Sequence, residues 1–174
     1  MEKVNLPEMQ KGAWKVERFT TDRTDWSSLF HGRAVPVGET YTRLMRDNVL
    51  VMSDTPAEMH DHRDPVDFAR GSCLLSGLGL GMVLKNILLK PYVTDVTVIE
   101  VSQDLIDLIS PFYIDPRVTI ICADALAYRP PRGKHYNMVW HDIWDNICED
   151  NLESMKKLRM KYARRSDWQG CWAQ

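Results

Sequence analysis

The chain has 174 residues, of which 44% are hydrophobic and 26% charged. That balance fits one globular domain of ordinary size and excludes disordered and fibrous classes. Its 22 Lys+Arg against 24 Asp+Glu leave a formal net charge of −2, so no global cationic field gathers nucleic acid or an anionic membrane.

Residues 1–70 read as a polar extension ahead of the main unit. Trp14, Val16 and Phe19 suggest one strand. The β-rich runs 41–45 and 49–52 flank Arg46-Asp47-Asn48, which predicts a hairpin. Thr55-Pro56-Ala57-Glu58 then reads as a helix start, with Thr55 as cap, Pro56 at the first helical position and Glu58 completing a capping box. Asp64-Pro65 interrupts or restarts that helix. Within it, Met59-His60-Asp61-His62 places two histidines two positions apart. Such positions point to different sides of a helix, so the pair predicts a polar face or pocket rim rather than a shared metal.

Residues 71–174 change texture. Short apolar runs at 73–75, 96–99, 118–121 and 138–140 alternate with helical patterns at 82–89 and 102–112. This alternation predicts βαβ units and a mostly parallel sheet covered on both faces, a Rossmann-like three-layer α/β sandwich behind a small N-terminal β-hairpin extension. Beyond residue 148, Leu152, Met155, Leu158 and Tyr162 recur at helical spacing, and acids at the start of that helix give way to bases towards its end. Trp168 to Trp172 reads as a fifth strand cut short.

The chemistry lies in what ends each strand, because ligands of open parallel sheets bind outside the carboxyl ends. Those ends carry Gly77-Leu78-Gly79-Leu80-Gly81, then Glu100, then Asp124, then His141-Asp142. Glycines let backbone approach a ligand closely, and a strand-to-helix loop exposes N–H groups. A carboxylate at Glu100 suits the two hydroxyls of a ribose, and Asp124 could accept from an adenine amino group. A dinucleotide loop wants a third glycine where Met82 stands. The pattern therefore favours an adenosine-type ligand without phosphate. Trp144 could stack on adenine or on a cationic acceptor.

Residues 72–145 resemble class I S-adenosylmethionine-dependent methyltransferases, and within them the spermidine-synthase-like branch. Gly77-Leu78-Gly79-Leu80-Gly81 is similar to motif I, Val98-Ile99-Glu100 to the acidic ribose motif, Cys122-Ala123-Asp124-Ala125 to the adenine-side motif, and Asp142-Ile143-Trp144-Asp145 to the D-x-x-D of spermidine synthases. The resemblance implies S-adenosyl-L-methionine as cofactor. It implies Gly77, Leu78, Gly79 and Gly81 around the donor's amino-acid end, Glu100 with Val101 on the ribose, and Asp124 with Ala125 on the adenine. It also implies Asp142, with Asp145 or His141, as the catalytic groups for a small or unidentified methyl acceptor. Spermidine synthases carry an acid where this chain has Leu80, which weighs against aminopropyl transfer; a non-catalytic ligand-binding or assembly module is a further alternative.

None of the four cysteines forms a C-x-x-C pair, so no structural zinc or other metal is expected. Free thiols, together with an N-terminus lacking an apolar leader and with no membrane-length apolar window, predict a cytoplasmic protein. No membrane or nucleic-acid partner is expected. The predicted sheet ends at an exposed edge, and that edge or the last helix offers a surface for homo-oligomerisation.

Overall fold

Alternation of apolar and polar residues in the first part of the chain produces an antiparallel sheet. The computed structural model describes residues 1–21, 35–145 and 148–172. Strands β1 (Met9–Lys11), β2 (Trp14–Thr20), β3 (Thr40–Arg46) and β4 (Val49–Ser53) lie in the order β1-β2-β3-β4, each antiparallel to the next. Trp14, Val16, Leu44 and Met52 face inward and are buried. The turn between β3 and β4 is Asp47-Asn48, with φ of 50° and 64°, as a two-residue loop matched to strand twist requires. The extension is thus a four-stranded sheet rather than a lone hairpin; β1 spans only three residues, too few for periodicity to reveal.

Two short helices follow, α1 (Pro56–Asp61) and α2 (Arg63–Phe68). Thr55 precedes α1 in extended conformation but makes no side-chain cap. Its hydroxyl lies 3.0 Å from that of Ser53 instead. The break between the helices falls at His62, with φ −100° and ψ 15°, two residues ahead of Asp64-Pro65. Pro65 is accommodated in the first turn of α2, where a missing N–H leaves no intrahelical bond unmade.

The second sheet holds β5 (Gly71–Ser76), β6 (Val93–Glu100), β7 (Val118–Cys122), β8 (Tyr136–His141) and β9 (Ser166–Cys171). All pairings are parallel, in the order β7-β6-β5-β8-β9. Between them lie α3 (Met82–Leu88), α4 (Gln103–Ile109) and α5 (Asn151–Tyr162). Ser102 caps α4 as its sequence position predicts, accepting from the Leu105 amide at 3.3 Å. The last strand is complete, opening at Ser166 and running parallel to β8.

Strand alternation sorts the core into two layers. Cys73, Leu75, Val96, Val98, Met138 and Trp140 pack with Val66 of α2, the apolar side of α3, and Leu105 and Ile109 of α4. Leu74, Ile99, Tyr136 and Val139 pack on the other face against Leu158 and Tyr162 of α5. Helices therefore cover both faces, the α/β three-layer arrangement expected.

Leu74 is fully buried at the centre of the smaller layer. Leu74→Ala should lower unfolding free energy by about 2–5 kcal/mol in urea titrations, while Ala at the exposed Ile114 should change it by no more than about 0.5 kcal/mol. A cost at Leu74 no greater than that at Ile114 would contradict the packing described.

Candidate active site at the strand tips

Backbone hydrogen bonds tie the tips of three neighbouring strands together. The Gly77 amide donates to the Ile99 carbonyl at 2.8 Å, and the Asp142 amide donates to the Ser76 carbonyl at 2.8 Å. Gly77 has φ +99°, and a Cβ there would lie 1.9 Å from the Asp142 carbonyl oxygen, so no larger residue fits. Gly79, at φ +50°, presses on the N-terminal sheet: its Cβ would lie 2.4 Å from Met52 Sδ. The same sulfur accepts from the Leu80 amide at 3.2 Å. The missing side chains thus make room for the next strand and for β4, not only for a ligand. Leu80 is fully buried in the core, and Gly81 lies against the ring of Tyr113.

Glu100, at the tip of β6, is mostly buried. Its Oε2 accepts from the Leu78 amide at 3.0 Å and its Oε1 from the Ser102 amide at 2.9 Å. A carboxylate has about four acceptor positions, so two bonds hold Glu100 in place and capacity remains for a ligand's hydroxyls. Asp124, after β7, is exposed, and its Oδ1 accepts from the Leu126 amide at 2.8 Å. Asp142 and Asp145 follow β8.

These tips open onto a cavity of about 260 Å³. It brings together Gly77, Gly79, Glu100, Val101, Asp124, Ala125, Asp142 and Asp145. Leu78, Gly81 and His141 are not among its lining residues. His141 is wholly buried, its Nδ1 2.9 Å from the Ser76 hydroxyl and its ring packed near Tyr162 of α5. Burial, helped by the charge of Lys161, pushes it down to about 3, so it is neutral. The catalytic expectation for His141 therefore does not carry over to this geometry; it ends β8 on the face turned towards α5, while Asp142, one residue on, turns into the cavity.

The opposite wall comes from the N-terminal sheet, which supplies Trp14, Leu44, Arg46, Val51 and Met52. Trp14 Nε1 donates to the Ser102 hydroxyl at 2.8 Å, and the Arg46 guanidinium pairs with Asp145. Trp144 also lines the cavity and donates from Nε1 to the Ser154 hydroxyl at 2.8 Å. This wall was not legible as part of the site, because its residues are brought there only by packing between sheets.

His62, read from the sequence as a polar face or pocket rim, lines the cavity; its partner is what the sequence did not show. Its Nε2 lies 2.7 Å from Asp142 Oδ2 and its Nδ1 2.8 Å from the Glu58 carbonyl oxygen. Burial alone would push it down, but the hydrogen bond and charge of Asp142, aided by Glu58, raise it to about 9. Its sequence signals are the two histidines two positions apart and its place, where a proline-led helix stops and another begins.

The cavity lining holds five carboxylates (Glu58, Glu100, Asp124, Asp142, Asp145) and two cations, Arg46 and His62. Each cation is already matched to an aspartate. The arrangement suits an uncharged or cationic guest and offers no unmatched cation for a phosphate among the described lining residues.

No family model and no curated protein matches the sequence. Solved structures do match in fold. An N-methyltransferase, NodS from Bradyrhizobium japonicum WM9 in complex with S-adenosyl-L-homocysteine, aligns at TM-score 0.50 and 13% identity over 64% of this chain and 57% of that one. Spermidine synthase from Thermotoga maritima aligns at 0.48 and 17% over 77% and 46%. The 23S rRNA methyltransferase ErmE aligns at 0.48 and 16% over 62% and 42%. The likeness to NodS is one of fold, a Rossmann-like α/β arrangement, and the chain spans 57% or less of the length of these three proteins.

The two buried histidines set opposite limbs of a stability profile. His62 is raised on folding, so its contribution is full below the unfolded value of about 6.5 and is lost as pH rises towards 9. His141 is lowered, so its contribution is full above about 6.5 and is lost as pH falls towards 3. Stability should peak near neutrality, with each limb approaching at most about 1.4 kcal/mol per pH unit per proton. Melting temperatures across this range should show the alkaline limb flattened in His62→Gln and the acid limb flattened in His141→Asn. Parallel curves for wild type and both variants would contradict the assignment.

Proposed function

We propose that the protein is an S-adenosyl-L-methionine-dependent methyltransferase acting on an acceptor still to be identified. The observation that carries this reading is the convergence of four successive parallel strand ends on one cavity, contributing glycine backbone, Glu100, Asp124 and Asp142 in turn. The donor's fit is supported by Glu100, which is clamped by two amides yet keeps acceptor capacity for ribose hydroxyls. It is also supported by the excess of carboxylates over cations, which favours a sulfonium. When bound, S-adenosyl-L-methionine supplies an already activated methyl group. What remains for the protein is alignment of donor and acceptor and exclusion of water. In this reading Gly77 and Gly79 border the donor's amino-acid end, with Leu78 and Gly81 shaping the loop from behind. Glu100 and Val101 hold the ribose, and Asp124 and Ala125 flank the adenine. Asp142, with Asp145, orients the acceptor and accepts its hydrogen bond.

The same reading divides the chain into residues 1–70, a sheet-and-helix extension that closes the cavity, and residues 71–174, the donor-binding unit. Among the described residues no helix is long and apolar enough to cross a membrane. All four cysteines are free, which supports placement in a reducing cytoplasm. The outer edge of β9, with α5 beside it, is the surface we assign to self-association.

Calorimetric titration with S-adenosyl-L-methionine, its decarboxylated form and NAD tests the donor. S-adenosyl-L-methionine should bind tightest, and Glu100→Ala should weaken it at least tenfold, about 1.4 kcal/mol. Asp124→Ala should weaken it less, because that carboxylate is already exposed. Preferential binding of NAD, or unchanged affinity in Glu100→Ala, would overturn the reading.

A further inference from the structure

The His62–Asp142 pair joins two segments 80 residues apart at the cavity wall. The His62 side chain is 1% exposed and that of Asp142 23%. One end of the pair is sealed in the protein while the other looks into the cavity. Each ring nitrogen of His62 faces an oxygen acceptor, the Asp142 carboxylate on one side and the Glu58 carbonyl on the other. A neutral imidazole has one N–H and one lone pair, so in that form one of these contacts would set lone pair against lone pair. While Asp142 is ionised, only the doubly protonated ring satisfies both. The remaining close ring is that of Trp140, edge-on with centroids 6.0 Å apart, and it offers no competing charge. The charged groups acting on His62 are Asp142 and Glu58.

We infer that His62 is a positioning residue: a buried imidazolium that fixes Asp142 by its Oδ2 and leaves Oδ1 for the acceptor. The inference rests on the proposed function for the words "the acceptor" and on geometry for the pair. The pair has a chemical consequence. With Oδ2 taken up by His62, Asp142 keeps Oδ1 to orient an acceptor N–H, O–H or S–H. The helix break at His62 serves the same end, since it lets the ring reach Asp142 Oδ2 while Nδ1 remains bonded to the preceding turn.

The test uses the full chain labelled at histidine and aspartate and read by NMR without ligand. At pH 7.5 both His62 ring nitrogens should resonate as protonated, and in Asp142→Asn at least one should move to the neutral range. S-adenosyl-L-methionine affinity should stay within twofold in His62→Gln while falling at least tenfold in Glu100→Ala, because His62 acts on the acceptor side. A neutral His62 in the wild-type protein would overturn the inference. So would a loss of S-adenosyl-L-methionine affinity in His62→Gln equal to that in Glu100→Ala. Should His62→Gln fail to fold, the wild-type and Asp142→Asn spectra decide alone. If S-adenosyl-L-methionine fails to bind the wild type while the NMR results hold, the donor assignment falls and the charged pair stands.

Discussion

Everything in the cavity depends on how the parallel strands end. A parallel sheet leaves its last amides and carbonyls to be satisfied by whatever follows each strand, and here they satisfy one another. The glycine loop donates back to β6, and the segment after β8 donates back to β5. Glu100 then bonds the amides of the glycine loop and of the residue that caps α4. One carboxylate thus joins two strand ends and a helix start. The side chains assigned to the ligand sit on backbone that is already hydrogen-bonded, so little ordering remains for binding.

A second constraint is charge matching between distant parts of the chain. Arg46 reaches Asp145, Lys11 reaches Asp107 at 2.5 Å, and His62 reaches Asp142. The first two are exposed pairs, worth little to stability individually, but they connect the antiparallel sheet to α4 and to the segment after β8. The third is buried and is of a different kind. Removing either partner would strand the other in a poorly solvated site, the circumstance in which ion pairs matter most.

How much of this was legible in the sequence follows from where the information lies. Three of the four apolar runs announce the central strands β5, β6 and β8, because a strand covered on both faces tolerates few polar interruptions, while the fourth announces the edge strand β7 through its β-branched residues. Glu100, Asp124 and Asp142 were placed at their tips because each is the first acid after such a run. Ser102 as a cap was readable from local chemistry. Thr55 was misread because a hydroxyl partner two residues back, Ser53, competes for it. His141 was grouped with Asp142 by adjacency, yet it ends β8 buried against α5 while the following residue enters the cavity. Met52 and Trp14 carry no motif: their roles arise from packing of one sheet on another, and the pairing of His62 with Asp142 from contact between segments 80 residues apart, neither of which local pattern encodes.

The N-terminal sheet has a temporal consequence. Trp14 finds its hydroxyl partner 88 residues further along, and Arg46 its carboxylate 99 residues further. At a translation speed of roughly 5–20 residues per second, the inner side of that sheet emerges about 5–20 seconds before the surface it must cover exists. During that interval Trp14, Val16 and Leu44 stand uncovered on the nascent chain. The first sheet must therefore either stay loosely formed until synthesis reaches the parallel strands, or be shielded by a chaperone at the ribosome.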